Sequence, residues 1–477
     1  MARRKTHAGA KRAGRTPDTG KDGTTRKRMN LSDEPRLLAQ EVLARVERHN
    51  AYASIAFDAV AMSGNLSREV RALSKEILFG VLRHRTRLER AVSEYANSSL
   101  DHCHPFVRRQ LLIGAYQILF MQNIPHAIAV DRAVELTRLH VGTTPSGFVN
   151  AVLRKLAHQG EPPFSTTDDR FTRMGVVHSF APWMVQAAVD TVGIDEADGL
   201  LESLNQRART ILRTNVIRTD REALMEKLHQ QFPDAAIAPT RFSPVGVEVQ
   251  GLPDPIRQDL HREGWYLVQD EGSQLVVFFV DPKPGQRILD ACAGTGGKSL
   301  HMAARLNNEA SILAVDLKAS KMDALSQRAR RAGITCISTT TMNLIKEQPE
   351  GVFDVILLDA PCSGLGVLRR HPEAKWRLTQ EEARSMAKKQ AQLLEAMASR
   401  VAPGGMLAYV VCTFWPPETT ERVAHFLSMH PEFERMPAPQ APGIPWSECT
   451  NAHGDLVLLP NRHNTDGFYV ARLKKQG

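Results

Sequence analysis

Two short runs in this chain set a cysteine at the end of an apolar segment. Asp359-Ala360-Pro361-Cys362-Ser363-Gly364 follows Val352–Leu358, and Tyr409-Val410-Val411-Cys412-Thr413 closes a segment that begins after Pro403-Gly404-Gly405. Taken singly, a cysteine is more often a small buried residue than a nucleophile, and Cys292 and Cys336 read that way. Cys362 and Cys412 differ because each stands at the carboxyl end of a predicted strand. A thiolate placed there can add to an electron-poor carbon such as carbon 6 of cytosine. The addition turns the ring into an enamine whose carbon 5 can accept a methyl group. A carboxyl group at N3 or the exocyclic amine would steady the charge on the ring. A base must then remove the carbon 5 proton before the thiol leaves. Two thiols and one carboxyl are sufficient parts.

A third run offers a place for a methyl donor. Ile288-Leu289-Asp290-Ala291-Cys292-Ala293-Gly294-Thr295-Gly296-Gly297-Lys298-Ser299 reads as a strand, a glycine-rich turn and a helix start. Glycine lets the backbone approach a ligand and adopt positive φ, and a helix start offers unpaired N–H groups. Ala314-Val315-Asp316 puts a carboxylate at the end of the next strand, where it can accept hydrogen bonds from both ribose hydroxyls of a nucleoside. A phosphate-binding loop would need glycine where Cys292 stands, although Gly297-Lys298-Ser299 supplies its ending and Val355–Asp359 imitates its magnesium strand. A dinucleotide fingerprint would need glycine where Ser299 stands. A site for S-adenosyl-L-methionine fits best.

The elements that must position these residues follow from periodicity. From about residue 266, short apolar strands alternate with helical segments. The strands are Arg287–Ala291, Ser311–Asp316, Val352–Asp359, Met406–Cys412 and Gly467–Leu473. This alternation predicts a mostly parallel, doubly wound α/β domain of the Rossmann-like kind over 266–477. Ligands of such sheets bind at the carboxyl ends of the strands, so both cysteines would share a rim with the glycine turn. Residues 31–165 show apolar residues at helical spacing, with breaks near Gly64-Asn65, Pro105, Pro125 and Pro145-Ser146-Gly147. They predict an all-helical domain, its first helix capped by Ser32 or Asp33 with Pro35 early. Between them, 166–265 reads as a small α+β connector. It holds strands at Ile211–Asn215 and Val247–Val249 and a helix capped by Thr219 or Asp220.

Composition sets the frame. A chain of 477 residues calls for two or three domains. Its net charge of +9 suits a polyanionic partner only weakly. The charge gathers in residues 1–30, from Arg3, Arg4 and Lys5 to Arg26, Lys27 and Arg28, opposed by Asp18 and Asp22. That stretch predicts a disordered basic arm that contacts RNA phosphates or serves as a solubilising or targeting tail. No apolar leader core follows it, and no run reaches the ~18 apolar residues that span a bilayer. The longest strongly apolar stretch is near Val276–Val280. Six scattered cysteines fit a reducing cytosol, so a cytoplasmic location is expected. The consecutive His102, Cys103 and His104 cannot easily wrap one tetrahedral metal, and no metal site is expected.

The stretch from Val268-Gln269-Asp270-Glu271-Gly272-Ser273-Gln274 through Cys412 resembles the RsmB/NOP (Sun, Fmu) family of RNA cytosine-5 methyltransferases. The helical part is similar to NusB-type RNA-binding domains, through Ile124–Val130, Ala133–Leu136 and Ser146–Arg154, and the ending Thr465–Leu473 also fits. The combination is that of the bacterial RsmB type, which acts on small-subunit ribosomal RNA. The resemblance implies Cys412 as nucleophile, Cys362 as the residue that assists product release, and Asp359 in contact with the base. It implies that Cys292, Ala293, Gly294, Thr295, Gly296, Gly297, Lys298, Asp316, Asn343 and Asp359 hold S-adenosyl-L-methionine. Arg370-His371-Pro372-Glu373 and Lys375-Trp376 look like the family's segment on the RNA side. Departures from the pattern are Thr295 for a common Pro, Val411 and Thr413 beside the nucleophile, Pro417 and Thr419 in the next motif, and Asn343 for an Asp. RNA is the partner implied, with no membrane and no obligate protein partner. Two other readings use the same residues: a transfer RNA methyltransferase, and an antitermination-like RNA-binding protein with a vestigial catalytic half. The intact Asp359, Cys362 and Cys412 count against the second.

Overall fold

The computed structural model describes residues 34–61, 66–97, 99–165, 169–440 and 443–477. The basic arm, Ser32, Asp33 and the Gly64-Asn65 break lie outside them.

Six helices come first: α1 (Pro35–His49), α2 (Ala53–Ala61), α3 (Arg68–Ala96), α4 (Pro105–Phe120), α5 (His126–His140) and α6 (Thr143–Gln159). They close on one core that includes Leu38, Phe57, Ile77, Leu111, Leu112 and Leu153. Glu34 rather than Ser32 or Asp33 caps α1, its carboxylate accepting from the Arg36 amide at 3.1 Å. The break expected at Pro145 falls instead at Gly142, whose φ is +131°. Pro145 sits in the first turn of α6, where an N–H would have no helical acceptor, so its ring costs nothing.

The expected connector is two structures. Helices α7 (Arg170–Val177), α8 (Pro182–Val192) and α9 (Ile194–Asn205) share a core with Leu365, Leu368, Phe414 and Trp415, residues that flank the two cysteine motifs. A four-stranded antiparallel sheet follows, ordered β2-β3-β1-β4, from β1 (Thr210–Thr214), β2 (Ala236–Pro239), β3 (Gly246–Gln250) and β4 (Tyr266–Val268). Helix α10 (Arg221–Gln231), capped by Asp220, covers it, and the short α11 (Asp259–Arg262) precedes β4. Because β4 pairs with β1, this sheet runs past the boundary expected at 265.

Helix α12 (Glu271–Val280) opens the last unit and holds the apolar Val276–Val280 run. Then come β5 (Arg287–Asp290), α13 (Gly297–Arg305), β6 (Ser311–Asp316), α14 (Ala319–Ala332), β7 (Ile337–Thr341), β8 (Phe353–Asp359), α15 (Gln380–Ala398), β9 (Val401–Val411) and α16 (Thr420–Met429). The chain ends with β10 (Phe433–Arg435), α17 (Trp446–Cys449), β11 (Leu456–Leu458), α18 (Pro460–His463) and β12 (Phe468–Lys475). The sheet order is β10-β12-β9-β8-β5-β6-β7, with β11 on β12. Strands β5 to β9 are mutually parallel, and β12 is antiparallel to β9. Successive residues of a strand face opposite sides. Thus Ile288, Val355 and Leu357 join one core with α12 and α13, while Leu289, Ile356 and Leu358 join another with α15.

Several strands differ from expectation: the short β2, β4, β10 and β11 were not anticipated, and β7 and β9 differ for reasons of sequence. β7 was not anticipated, because its Ile-Ser-Thr-Thr-Thr sequence at the sheet edge has no apolar run. β9 begins at Val401, with Gly404 at φ +73° and a register shift against β8 carrying the strand through Pro403-Gly404-Gly405.

Candidate active site

The strand order reverses between β5 and β8, the point where open α/β sheets bind ligands. Asp290 ends β5, Asp316 ends β6, Asp359 ends β8, and Cys412 follows β9 directly. Parallel pairing of these strands brings all four to one rim.

A cleft of about 340 Å³ lies there. Cys292, Asp316, Asn343 and Asp359 line it, together with Leu317, Met342 and Ile345. Asp316 accepts hydrogen bonds from the amides of Gly294 and Lys318, both at 3.1 Å, and pairs with Lys321 at 2.9 Å. At Gly294 φ is +57°, and a Cβ there would meet open space. Leu317 and Ile345 are 64% and 39% exposed, so the mouth of the cleft offers bare apolar surface beside carboxylate and amide. Apolar walls for a purine, an acid for ribose hydroxyls and an open glycine turn fit a nucleoside such as that of S-adenosylmethionine.

Other residues assigned to the cofactor have different neighbours. Thr295 accepts from Arg328 at 2.8 Å, Gly296 abuts Leu325, and the Gly297 carbonyl accepts from Arg213 at 2.6 Å. Lys298 is buried and donates to Asp359 at 2.6 Å. Burial pulls the Lys298 ammonium down, but Asp359, Cys412 and Asp290 together outweigh it, so its pKa is raised and it stays charged. Cys292 is inert at neutral pH, since burial pushes its thiol up to about 12.

The sulfurs of Cys362 and Cys412 are 3.3 Å apart, and both cysteines are free. Their hydrogen bond, then burial, holds the Cys362 thiol well above its ordinary range. Cys362 therefore keeps its proton and can donate it in a hydrogen bond to the Cys412 sulfur. Behind the pair, buried Glu418 accepts from the Ser363 amide at 2.9 Å, from the Ser363 hydroxyl and from Gln390 at 2.9 Å. The Ser363 and Thr413 hydroxyls meet at 2.9 Å, and the Gly366 amide donates to the Cys412 carbonyl at 3.0 Å. Residue 413 thus needs a hydroxyl, which Thr supplies as Ser would. Sequence reasoning missed Glu418, whose only signal was its position after the second cysteine.

The segment expected on the RNA side makes contacts within the protein. Arg370 is paired with Asp270 and Asp466. Glu373 accepts from the Ala53 amide at 3.1 Å, and Trp376 donates to the Leu82 carbonyl at 2.8 Å. Lys375 is buried, donating to the Arg83 carbonyl at 2.7 Å and to Asn205 at 2.9 Å. Glu373, Lys375 and Trp376 dock the catalytic unit onto the helical domain, while the Arg370 pairs lie within the catalytic unit.

Three family models match successive parts of the chain. Residues 277–474 match the model described as 16S rRNA methyltransferase RsmB/F, 33–158 match the NusB family, and 180–253 match the RsmF/B-like ferredoxin-like domain. A probable ribosomal RNA small subunit methyltransferase B of Bacillus subtilis (strain 168) is 31% identical over 461 residues, 92% of this chain and 98% of that one. The corresponding Synechocystis protein is 30% identical over 450 residues, 92% and 99% of the two chains. The crystal structure of PH0851 shares the fold with a TM-score of 0.76 at 23% identity, covering 92% of this chain and 99% of that one. NSun6 from Pyrococcus horikoshii, solved with the S-adenosylmethionine analogue SFG, has a TM-score of 0.55 at 19% identity over 62% of this chain and 98% of that one.

Proposed function

This chain belongs to the RsmB/F family of 16S rRNA methyltransferases, and we propose that it forms 5-methylcytosine in small-subunit ribosomal RNA through a bond between Cys412 and carbon 6 of the base. The observation that carries the covalent step is the 3.3 Å approach of the two thiols at the rim of the cleft.

A target cytosine must leave its stack or lie in a single-stranded loop to reach this rim. The thiolate is the attacking form of a cysteine, and the Cys412 sulfur lies 3.3 Å from the Cys362 sulfur, within reach of its S–H. The Cys412 sulfur adds to carbon 6, and the ring electrons shift toward carbon 5. Asp359, held by Lys298, steadies the polar edge of the base. Asp316, Asn343 and the turn Cys292–Gly297 would hold S-adenosylmethionine, which when bound supplies an electrophilic methyl group. To finish, a base, here solvent water, takes the carbon 5 proton, the electrons of that C–H bond re-form the 5,6 double bond, and the Cys412–carbon 6 bond breaks with its electron pair returning to sulfur. Cys362 assists that release by donating its S–H to the departing Cys412 sulfur, 3.3 Å away. A ribosomal substrate implies action in the cytoplasm, and this scheme requires no protein partner.

Trapping tests it. Parent, Cys362→Ala and Cys412→Ala receive labelled S-adenosylmethionine with 16S ribosomal RNA or transfer RNA. A covalent protein–RNA adduct is expected with Cys362→Ala and none with Cys412→Ala. An adduct that survives Cys412→Ala would overturn the assignment of nucleophile. Methylation of transfer RNA alone would overturn the target and leave the chemistry.

A further inference from the structure

We propose that Arg213 and Gln269 are positioning residues for the cofactor: the antiparallel sheet reaches into the catalytic unit through them and holds its glycine turn in the binding shape. The proposal rests on the reading of the cleft as the S-adenosylmethionine site.

Arg213 lies in the middle of β1, opposite Gly246 on β3 and Leu267 on β4, and is 1% exposed. Its Nη1 donates to the Gln269 side-chain oxygen and to the Gly297 carbonyl. No acid pairs with it among the described residues. Burial pulls its guanidinium down to about 9, which still leaves it protonated at neutral pH. A buried cation without an anion is costly, and an apolar residue would suit the interior of this sheet better. Packing alone therefore gives no reason for an arginine here, whereas the Gly297 carbonyl does.

Gln269 is fixed for the same task. Its amide donates to the Ile211 carbonyl at 3.0 Å and its Nε2 to Ser273 at 2.9 Å, while its own carbonyl accepts from Gln274 at 2.9 Å. A Cβ on Gly297 would lie 3.6 Å from Gln269 Nε2, so side chain and turn are in contact. Three side chains hydrogen-bond to the turn: Asp316 on the Gly294 amide, Arg328 on Thr295, and Arg213 on Gly297. The first two belong to the catalytic sheet and its helices, and the third comes from the neighbouring sheet. Gly297 also begins α13, so its placement sets where the helix start and the Lys298 side chain fall.

The test measures S-adenosylmethionine binding by calorimetry on the full chain without RNA, for the parent, Arg213→Lys, Arg213→Met, Gln269→Leu and Asp316→Ala. RNA affinity and thermal midpoint are measured in parallel. Arg213→Met and Gln269→Leu are expected to weaken cofactor binding by on the order of tenfold or more, as a turn displaced by about 1 Å would. Arg213→Lys, which keeps the charge and a donor, should recover part of the loss, and RNA affinity should stay near the parent's. Should Arg213→Met not fold, Arg213→Lys and Gln269→Leu decide. Parent-like cofactor binding in these variants, with binding lost in Asp316→Ala, overturns the positioning role alone. RNA affinity falling in step with cofactor affinity also overturns it. Parent-like binding in Asp316→Ala overturns the cleft reading and this proposal with it.

Discussion

Residue by residue, the carboxylates at the strand ends differ in environment, and that difference is testable. Asp290 is buried, bonded to Ser299 through one oxygen, and its other oxygen has no partner. Burial raises its pKa from 3.8 to about 7. The folded chain therefore holds this proton more tightly than the unfolded chain. That contribution to stability is complete below pH ~4 and is lost as pH rises through about 7. Asp290→Asn, neutral throughout, should gain in thermal midpoint relative to the parent across this window. Calorimetry at pH 5 and pH 8 checks it, and a difference that stays constant or falls would refute the assignment. Strand-end placement and the family resemblance singled out Asp359, Cys362 and Cys412. They could not show that Lys298 turns to Asp359, because a lysine after Gly-Gly at a helix start serves a phosphate or a carboxylate equally well.

Among the elements, the segment between Cys362 and α15 links chemistry to docking. It starts with the Gly366 amide on the Cys412 carbonyl, passes the Arg369 and Arg370 pairs with Asp270 and Asp466, and ends at Lys375 and Trp376. Helix α3 leaves helical geometry at His84, and Lys375 and Trp376 donate to the carbonyls of Arg83 and Leu82 just before it. Side-chain donors inserted at this point explain the kink. Lys375→Met should leave the Arg83 carbonyl and Asn205 short of a buried donor, costing about 1–3 kcal/mol. Chemical denaturation checks this, and an unchanged midpoint would contradict it. The sequence could not show these contacts because lysine, arginine and tryptophan suit an RNA surface and a polar domain seam alike. Only the partner across the seam tells them apart.

For the whole molecule, charge and chemistry are apart along the sequence. Residues 1–30 carry the densest run of lysine and arginine, and the cleft is lined by residues from Ala291 to Leu393. Deleting residues 1–30 should weaken RNA binding and flatten its salt dependence, since each phosphate contact adds ~0.7–0.9 to the slope of log affinity against log salt. Cofactor affinity should not change. Filter binding across a salt series, with calorimetry for the cofactor, measures both, and an unchanged slope would rule out the arm as an RNA contact. No helix among the described residues is long and apolar enough to cross a membrane.

By itself the sequence determined whatever depends on local order along the chain. Apolar periodicity marked the helical unit and the strands β5, β6, β8, β9 and β12, and strand-end placement put two cysteines and two acids on one rim. It also carried the family. Tertiary structure alone decided what depends on neighbours far apart in sequence. The polar β7 is a strand because it pairs with β6, and helices α7–α9 pack on the cysteine motifs instead of the sheet that follows them. Glu418 lies behind the Cys362 motif and Arg213 behind the glycine turn. A hydrogen bond between residues so distant in the chain leaves no period or spacing to read, since its energy depends on where folding brings the second partner.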